Sequence, residues 1–152
     1  AEVATYAQSQ GVKAHGMNLG GRYVFPFGSV KFVPALHSSG YEIDGVMTYM
    51  GEASGIILEA EDKKIYHAGD TALFSDMRLF AKDKSIDVAF LPIGDNYTMG
   101  PEDALEAVSY LNPEITIPIH YNTFPVIQQN PAIFVEQVVG GKVLNPGETI
   151  LV

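Results

Sequence analysis

The chain has 152 residues, 47% of them apolar and 18% charged, with no cysteine and a formal net charge of −9. Its length predicts one domain, its composition is globular rather than disordered, and its acidic balance argues against a nucleic-acid backbone as partner. The lack of cysteine excludes a disulfide framework and any thiolate metal site. No apolar run approaches the ~18 residues of a membrane span, and no basic-then-apolar leader is present, so a cytoplasmic location away from membranes is expected. The first residue is Ala1 rather than Met, which reads as processing, truncation or excision.

In chain order, Glu2 to Gln10 reads as the end of a helix, with Gly11 as its stop. Val12 to Met17 is a short strand candidate and Leu19-Gly20-Gly21 a turn; no helix follows these glycines, so they make no nucleotide-binding fingerprint. Arg22 to Phe25 and Val30 to Leu36 are β-rich runs joined by Pro26-Phe27-Gly28-Ser29. The polar, Gly-punctuated stretch from Ser38 to Ser54 predicts a long loop near a site, with Tyr49-Met50-Gly51-Glu52 as a lid segment. Ile56 to Ala60 and Lys64 to His67 bracket the turn Glu61-Asp62-Lys63, and Phe74 to Ala81 is a short helix candidate. Ile86 to Ile93 is almost continuously apolar, the pattern of a strand buried on both faces.

Gly100-Pro101-Glu102-Asp103 starts a helix through Tyr110, with proline early and two acids in the positive first turn. Ala104, Ala107, Val108 and Leu111 form its apolar stripe. Ile115 to Ile119 is a strand and Pro131 to Val139 a helix closed by Gly140-Gly141; Lys142 to Leu144 and Thr149 to Val152 read as terminal strands. Strands alternating with two or three helices predict an α/β sandwich with helices covering one sheet face.

Three strand-end motifs carry the chemistry: Ala35-Leu36-His37-Ser38-Ser39-Gly40, Tyr66-His67-Ala68-Gly69-Asp70-Thr71 and Pro118-Ile119-His120-Tyr121-Asn122. Each places a metal-capable side chain after a β-type run, where loops commonly present ligands. Both carboxylate oxygens of Asp70 can serve two cations, and His37 and His120 can each offer one ring nitrogen. Such a site activates water for hydrolysis at neutral pH without a serine or cysteine nucleophile. Asp70 is the candidate catalytic residue, although an Asp before a helix also serves as a cap. His67 reads first as support for the Gly-Asp turn. His15 could line a substrate cleft or be a surface histidine. Asn122 and Thr123 could orient His120 or contact substrate, or form an Asx turn before Pro125. Tyr97 and Met99, between a buried strand and a helix, could wall a cleft or simply pack.

With these motifs in place, the chain resembles the C-terminal half of a metallo-β-lactamase-fold hydrolase, in the branch of uncharacterised metal-dependent hydrolases related to the ascorbate-phosphate lactonases. The resemblance runs through His15 to Gly21, Pro34 to Gly40, Ile65 to Thr71, Leu91 to Ala104, Pro118 to Pro125 and Pro146-Gly147-Glu148. His37 and Asp70 lie 33 positions apart, Asp70 and His120 50. The family implies half of an αββα sandwich with metals at one edge between two sheets. It also implies that His37 binds a first metal, Asp70 bridges and His120 binds a second. Zinc is the foremost expectation, with Mn, Ni, Fe or Co also suited to nitrogen and oxygen ligands. The family's His-x-His-x-Asp-His cluster is absent from this chain. An N-terminal half is therefore expected as a separate partner chain, with homo-oligomerisation as another way to cover an exposed sheet face. The implied activity is hydrolysis of an ester, lactone or phosphodiester bond in a small molecule. A nucleic-acid phosphodiesterase and a non-catalytic assembly module are the alternatives.

Overall fold

The computed structural model describes residues 1–152. Eight strands and three helices follow in the order α1 (Glu2–Ser9), β1 (Arg22–Phe25), β2 (Gly28–Pro34), β3 (Gly40–Ile43), β4 (Val46–Tyr49), β5 (Ser54–Ala60), β6 (Lys63–His67), β7 (Val88–Pro92), α2 (Pro101–Leu111), β8 (Ile115–Ile119) and α3 (Pro131–Glu136). Six strands form one mixed sheet in the order β1-β2-β5-β6-β7-β8, while β3 and β4 pair separately. Neighbours from β1 to β6 are antiparallel; β6, β7 and β8 are parallel. The α/β expectation holds.

The two sheet faces differ. The main core joins Val33, Ile57, Tyr66, Ala89 and Leu91 to Met77 and Phe80 of the 3₁₀ turn Ser75–Leu79 and to Ala107 and Leu111 of α2. Burying one such leucine contributes about 1.5–3 kcal/mol. A smaller cluster of Ile93, Ala104, Phe134 and Val138 adds α3. On the other face, Val30, Leu58 and Ile65 align across β2, β5 and β6, with Phe32 and Ile56 beside them. None of these five is buried, and Ile56 is 38% exposed.

Helix α2 forms for the reasons legible in its sequence. Gly100 precedes it in an extended conformation, Pro101 opens it, Glu102 and Asp103 face the positive end, and Asn112 closes it in the left-handed region. Between β6 and β7, the Asp87 carboxylate accepts from the Lys64 N–H at 2.8 Å and from Lys63 Nζ at 3.1 Å. The buried Lys64 ammonium meets Asp83 Oδ1 at 2.7 Å.

Five expected elements differ. Val12 to Met17 is irregular, because its backbone is tied to α1: Val12 N–H donates to Ala7 O at 3.0 Å, and Gln8 Nε2 to Ala14 O at 2.9 Å. The long loop from Ser38 to Ser54 contains the β3–β4 hairpin, turned by Asp44 and Gly45 at φ of 50° and 79°. An Asp-Gly pair is the natural occupant of a two-residue turn with both φ positive. Phe74 to Ala81 holds only the 3₁₀ turn. The terminal strands Lys142 to Leu144 and Thr149 to Val152 are absent. An isolated parallel bridge joins Thr116 to Gly141, Lys142 N–H donates to Thr116 O at 2.9 Å, and the chain beyond has no strand to pair with. No helix is long and apolar enough to cross a membrane.

Candidate metal centre

The parallel strands β6, β7 and β8 direct three loops to one end of the sheet. Asp70 follows β6 through Ala68-Gly69. Gly69 has φ of 66°, and a Cβ there would lie 2.9 Å from Ser54 O, so only glycine makes this turn without strain. His120 directly follows β8 with φ of 54°, and Asn122 comes next but one at 61°. Left-handed backbone at residues with a Cβ costs about 1–3 kcal/mol each and collects at functional sites.

The result is a close approach: His120 Nε2 lies 3.5 Å from Asp70 Oδ2. The other ring nitrogen of His120, Nδ1, is buried without a hydrogen-bond partner. Gly94, just past β7, makes room for this histidine: a Cβ on it would lie 2.3 Å from His120 O and 3.1 Å from His120 Nδ1.

His37 approaches from the other side. It lines a cavity of about 550 Å³ together with Asp70, Glu52, Tyr6 and Tyr41. Its Nδ1 is 2.7 Å from Ser38 O. A carbonyl only accepts, so Nδ1 is the donor in this contact and Nε2 is the ring nitrogen left for ligation. Thr71 joins the two loops. Its buried Oγ1 accepts from the Leu36 N–H at 2.9 Å, and Ala72 N–H donates to Leu36 O at 3.1 Å.

Asp70 thus occupies the middle position, paired with His120 and sharing a cavity with His37. No three His, Asp or Glu side chains of this chain converge closely enough to hold a metal ion. Two free imidazole nitrogens and a carboxylate suit a borderline divalent cation such as zinc, and the unpaired Nδ1 of His120 marks a buried polar atom without its partner. The donors fit such an ion but form an incomplete set.

The remaining candidates are placed differently. His67 contacts the Gly-Asp turn: Gly69 N–H donates to its Nδ1 at 3.1 Å, and its ring stacks on Phe90. Partial desolvation lowers its pKa, with the Asp70 charge working in the opposite direction. His15 is exposed and makes a tilted ring contact with Tyr23 of β1, at the sheet edge opposite β8. Asn122 Oδ1 accepts from the Gln129 N–H at 2.9 Å, seven residues on, and so closes the loop beyond Pro125 rather than forming a local Asx turn before it. Thr123 is exposed. Tyr97 is 56% exposed, while Met99 is fully buried in the core and is no cleft wall. Gly94 and Thr71 are the positions that sequence reasoning passed over; only the Gly-Asp-Thr spacing hinted at the second.

Comparison with known proteins identifies the family. Residues 1–121 match the profile of the β-lactamase superfamily domain. The whole chain is 98% identical to a UPF0173 metal-dependent hydrolase of Enterococcus faecalis, covering 68% of that protein. It is 54% identical to a UPF0173 metal-dependent hydrolase of Bacillus cereus, with 98% of this chain and 67% of that protein covered. Among solved structures, Igni18, a metallo hydrolase of the archaeon Ignicoccus hospitalis, superposes with a TM-score of 0.86 at 36% identity, over 98% of this chain and 65% of that one. An isothiocyanate hydrolase from Delia radicum gut bacteria has the same fold, with a TM-score of 0.70 at 20% identity, over 97% of this chain and 64% of that one. The chain therefore spans about two thirds of the length of these relatives. It belongs to the metallo-β-lactamase superfamily, in the UPF0173 family of metal-dependent hydrolases.

Proposed function

We propose that the protein containing this chain hydrolyses an ester, lactone or phosphodiester bond of a small molecule at a two-cation centre, for which this chain supplies His37, Asp70 and His120. The observation that carries the reading is the 3.5 Å approach of His120 Nε2 to Asp70 Oδ2 at the strand ends, with His37 on the same cavity. A divalent cation bound there would supply Lewis acidity and lower the pKa of water towards ~7. Asp70 offers an oxygen to each side of the site, and the turn at Gly69 aims it. His37 presents Nε2 because Ser38 O holds its other nitrogen. Gly94 lies close against His120, whose carbonyl oxygen and Nδ1 would be 2.3 and 3.1 Å from a Cβ placed on it.

The further ligands would come from the third of the protein that this chain does not span. That segment would also cover the half-exposed face of Phe32, Ile56, Leu58 and Ile65, completing an αββα sandwich. The relatives carry their extra length in one polypeptide, which favours a continuous chain over a separate partner or a homo-oligomeric cover. Zinc suits the nitrogen and oxygen donors best among the candidates.

The test is metal analysis and hydrolysis by the full-length protein against a panel of lactone, aryl ester and bis-aryl phosphodiester substrates. Wild type should hold about two divalent ions per chain and turn over at least one class. His37→Ala, Asp70→Asn and His120→Ala should each lose bound metal and lower kcat/KM by ~10²-fold or more. Full metal content and activity in all three variants would refute the assignment. A metal-free, inactive wild type would favour an assembly module.

A further inference from the structure

A second cavity, of about 550 Å³, gathers much of the chain's positive charge: Arg22, Lys31, Lys64 and Lys82 all line it, out of nine Lys and Arg in the chain. Two are engaged, since Arg22 Nη1 lies 2.5 Å from Glu59 Oε2 and Lys64 Nζ 2.7 Å from Asp83 Oδ1. Lys31 and Lys82 have no carboxylate within 4.0 Å. Four cations facing two carboxylates leave an excess of two positive charges, in a chain whose net charge is −9.

The surroundings suit an anion with an organic part. Lys31 pairs across the sheet with Arg22 on one side and Ile57 on the other, so the three share a face. Phe80 and Leu79, the latter 59% exposed, add an apolar wall. The volume lies within the ~300–1,000 Å³ usual for small-molecule sites, where a few polar groups on an apolar wall orient the ligand. A phosphomonoester carries about −1.5 to −2 charges near neutral pH, which matches the excess, whereas a simple carboxylate supplies one. The cavity is distinct from the metal centre. Lys64 lies near the start of β6 and His67 at its end, about 10 Å apart at ~3.3 Å per residue.

We propose that this cavity binds a small organic phosphate, its phosphoryl group held by Lys31 and Lys82 beside Arg22 and its apolar part laid against Leu79 and Phe80. Isothermal titration of the full-length protein with phenyl phosphate tests this. Inorganic phosphate and benzyl alcohol report the two halves of the ligand separately. Phenyl phosphate should bind saturably, more tightly than either control, and more weakly as salt rises. The double variant K31A/K82A should weaken it at least tenfold while leaving Tm and hydrolysis unchanged, because neither lysine touches the metal centre. The proposal is overturned if phenyl phosphate does not saturate, if K31A/K82A binds it as wild type does, or if inorganic phosphate binds equally well. It is also overturned if His120→Ala, and not K31A/K82A, abolishes binding, since the phosphate would then belong to the metal centre.

Discussion

Gly94→Ala isolates the packing that positions His120. The added Cβ would lie 2.3 Å from His120 O and 3.1 Å from both His120 Nδ1 and Ile127 Cβ. A carbon and a carbonyl oxygen tolerate about 3.3 Å, so the end of β8 must retreat by roughly 1 Å. That oxygen is backbone, which cannot rotate away. Overpacking of this kind costs about 1–3 kcal/mol. For a chain of this size, at about 3 °C per kcal/mol, Tm should fall by about 3–9 °C. The same shift carries the imidazole out of register with Asp70; with His120 as a proposed ligand, metal affinity should fall by about 10–100-fold. Thermal unfolding and metal titration of the full-length protein read the two effects. Gly16→Ala is the control, since its Cβ would meet Ala4 Cβ at an ordinary 3.5 Å, and it should change neither. Wild-type Tm and metal affinity in Gly94→Ala would refute the claim that this glycine makes room for the histidine.

Thr71→Val leaves the Leu36 N–H without its 2.9 Å acceptor and should cost about 1–3 kcal/mol in chemical denaturation, with weaker metal binding as the His37 loop loosens. An unchanged denaturation midpoint would contradict the clamp. Tyr66→Phe should be neutral or stabilising by up to ~1 kcal/mol, because the Tyr66 hydroxyl is buried without a partner; a loss above that would mean the hydroxyl is bonded in the full-length protein. Burial pushes the Asp87 pKa up, but the Lys64 N–H and the Lys63 ammonium outweigh it and hold the pKa below the usual carboxylate value. The Lys64 ammonium likewise lowers the pKa of Asp83. A depressed folded-state pKa contributes stability above the unfolded value of about 3.9, and that stability is lost as pH falls through the folded value. Stability should therefore drop on acidification below about pH 4, and Asp87→Asn should flatten the drop; equal slopes for the two proteins would exclude Asp87 as a contributor.

Local patterns determined much of this protein. Proline, acids and an apolar stripe define α2, and continuous apolar residues define β7, because each signal acts over a few residues. The motifs around His37, Asp70 and His120 were legible as ligand candidates for the same reason: metal-capable side chains follow β-type runs directly. The Asp44-Gly45 hairpin was also written locally, but the polar, glycine-rich stretch around it has the composition of a loop. Tertiary structure decided the rest. Val12 to Met17 and the two terminal segments look like strands, yet a strand needs a neighbour to take its hydrogen bonds, and no sequence window shows whether one is present. His15 and Asp70 carry equally suggestive side chains, but only the strand order places one at β1 and the other facing His120. Gly94 and Thr71 matter through atoms far away in sequence, the carbonyl of His120 and an N–H at Leu36. Their roles exist only once the strands have assembled and brought those backbone groups within contact.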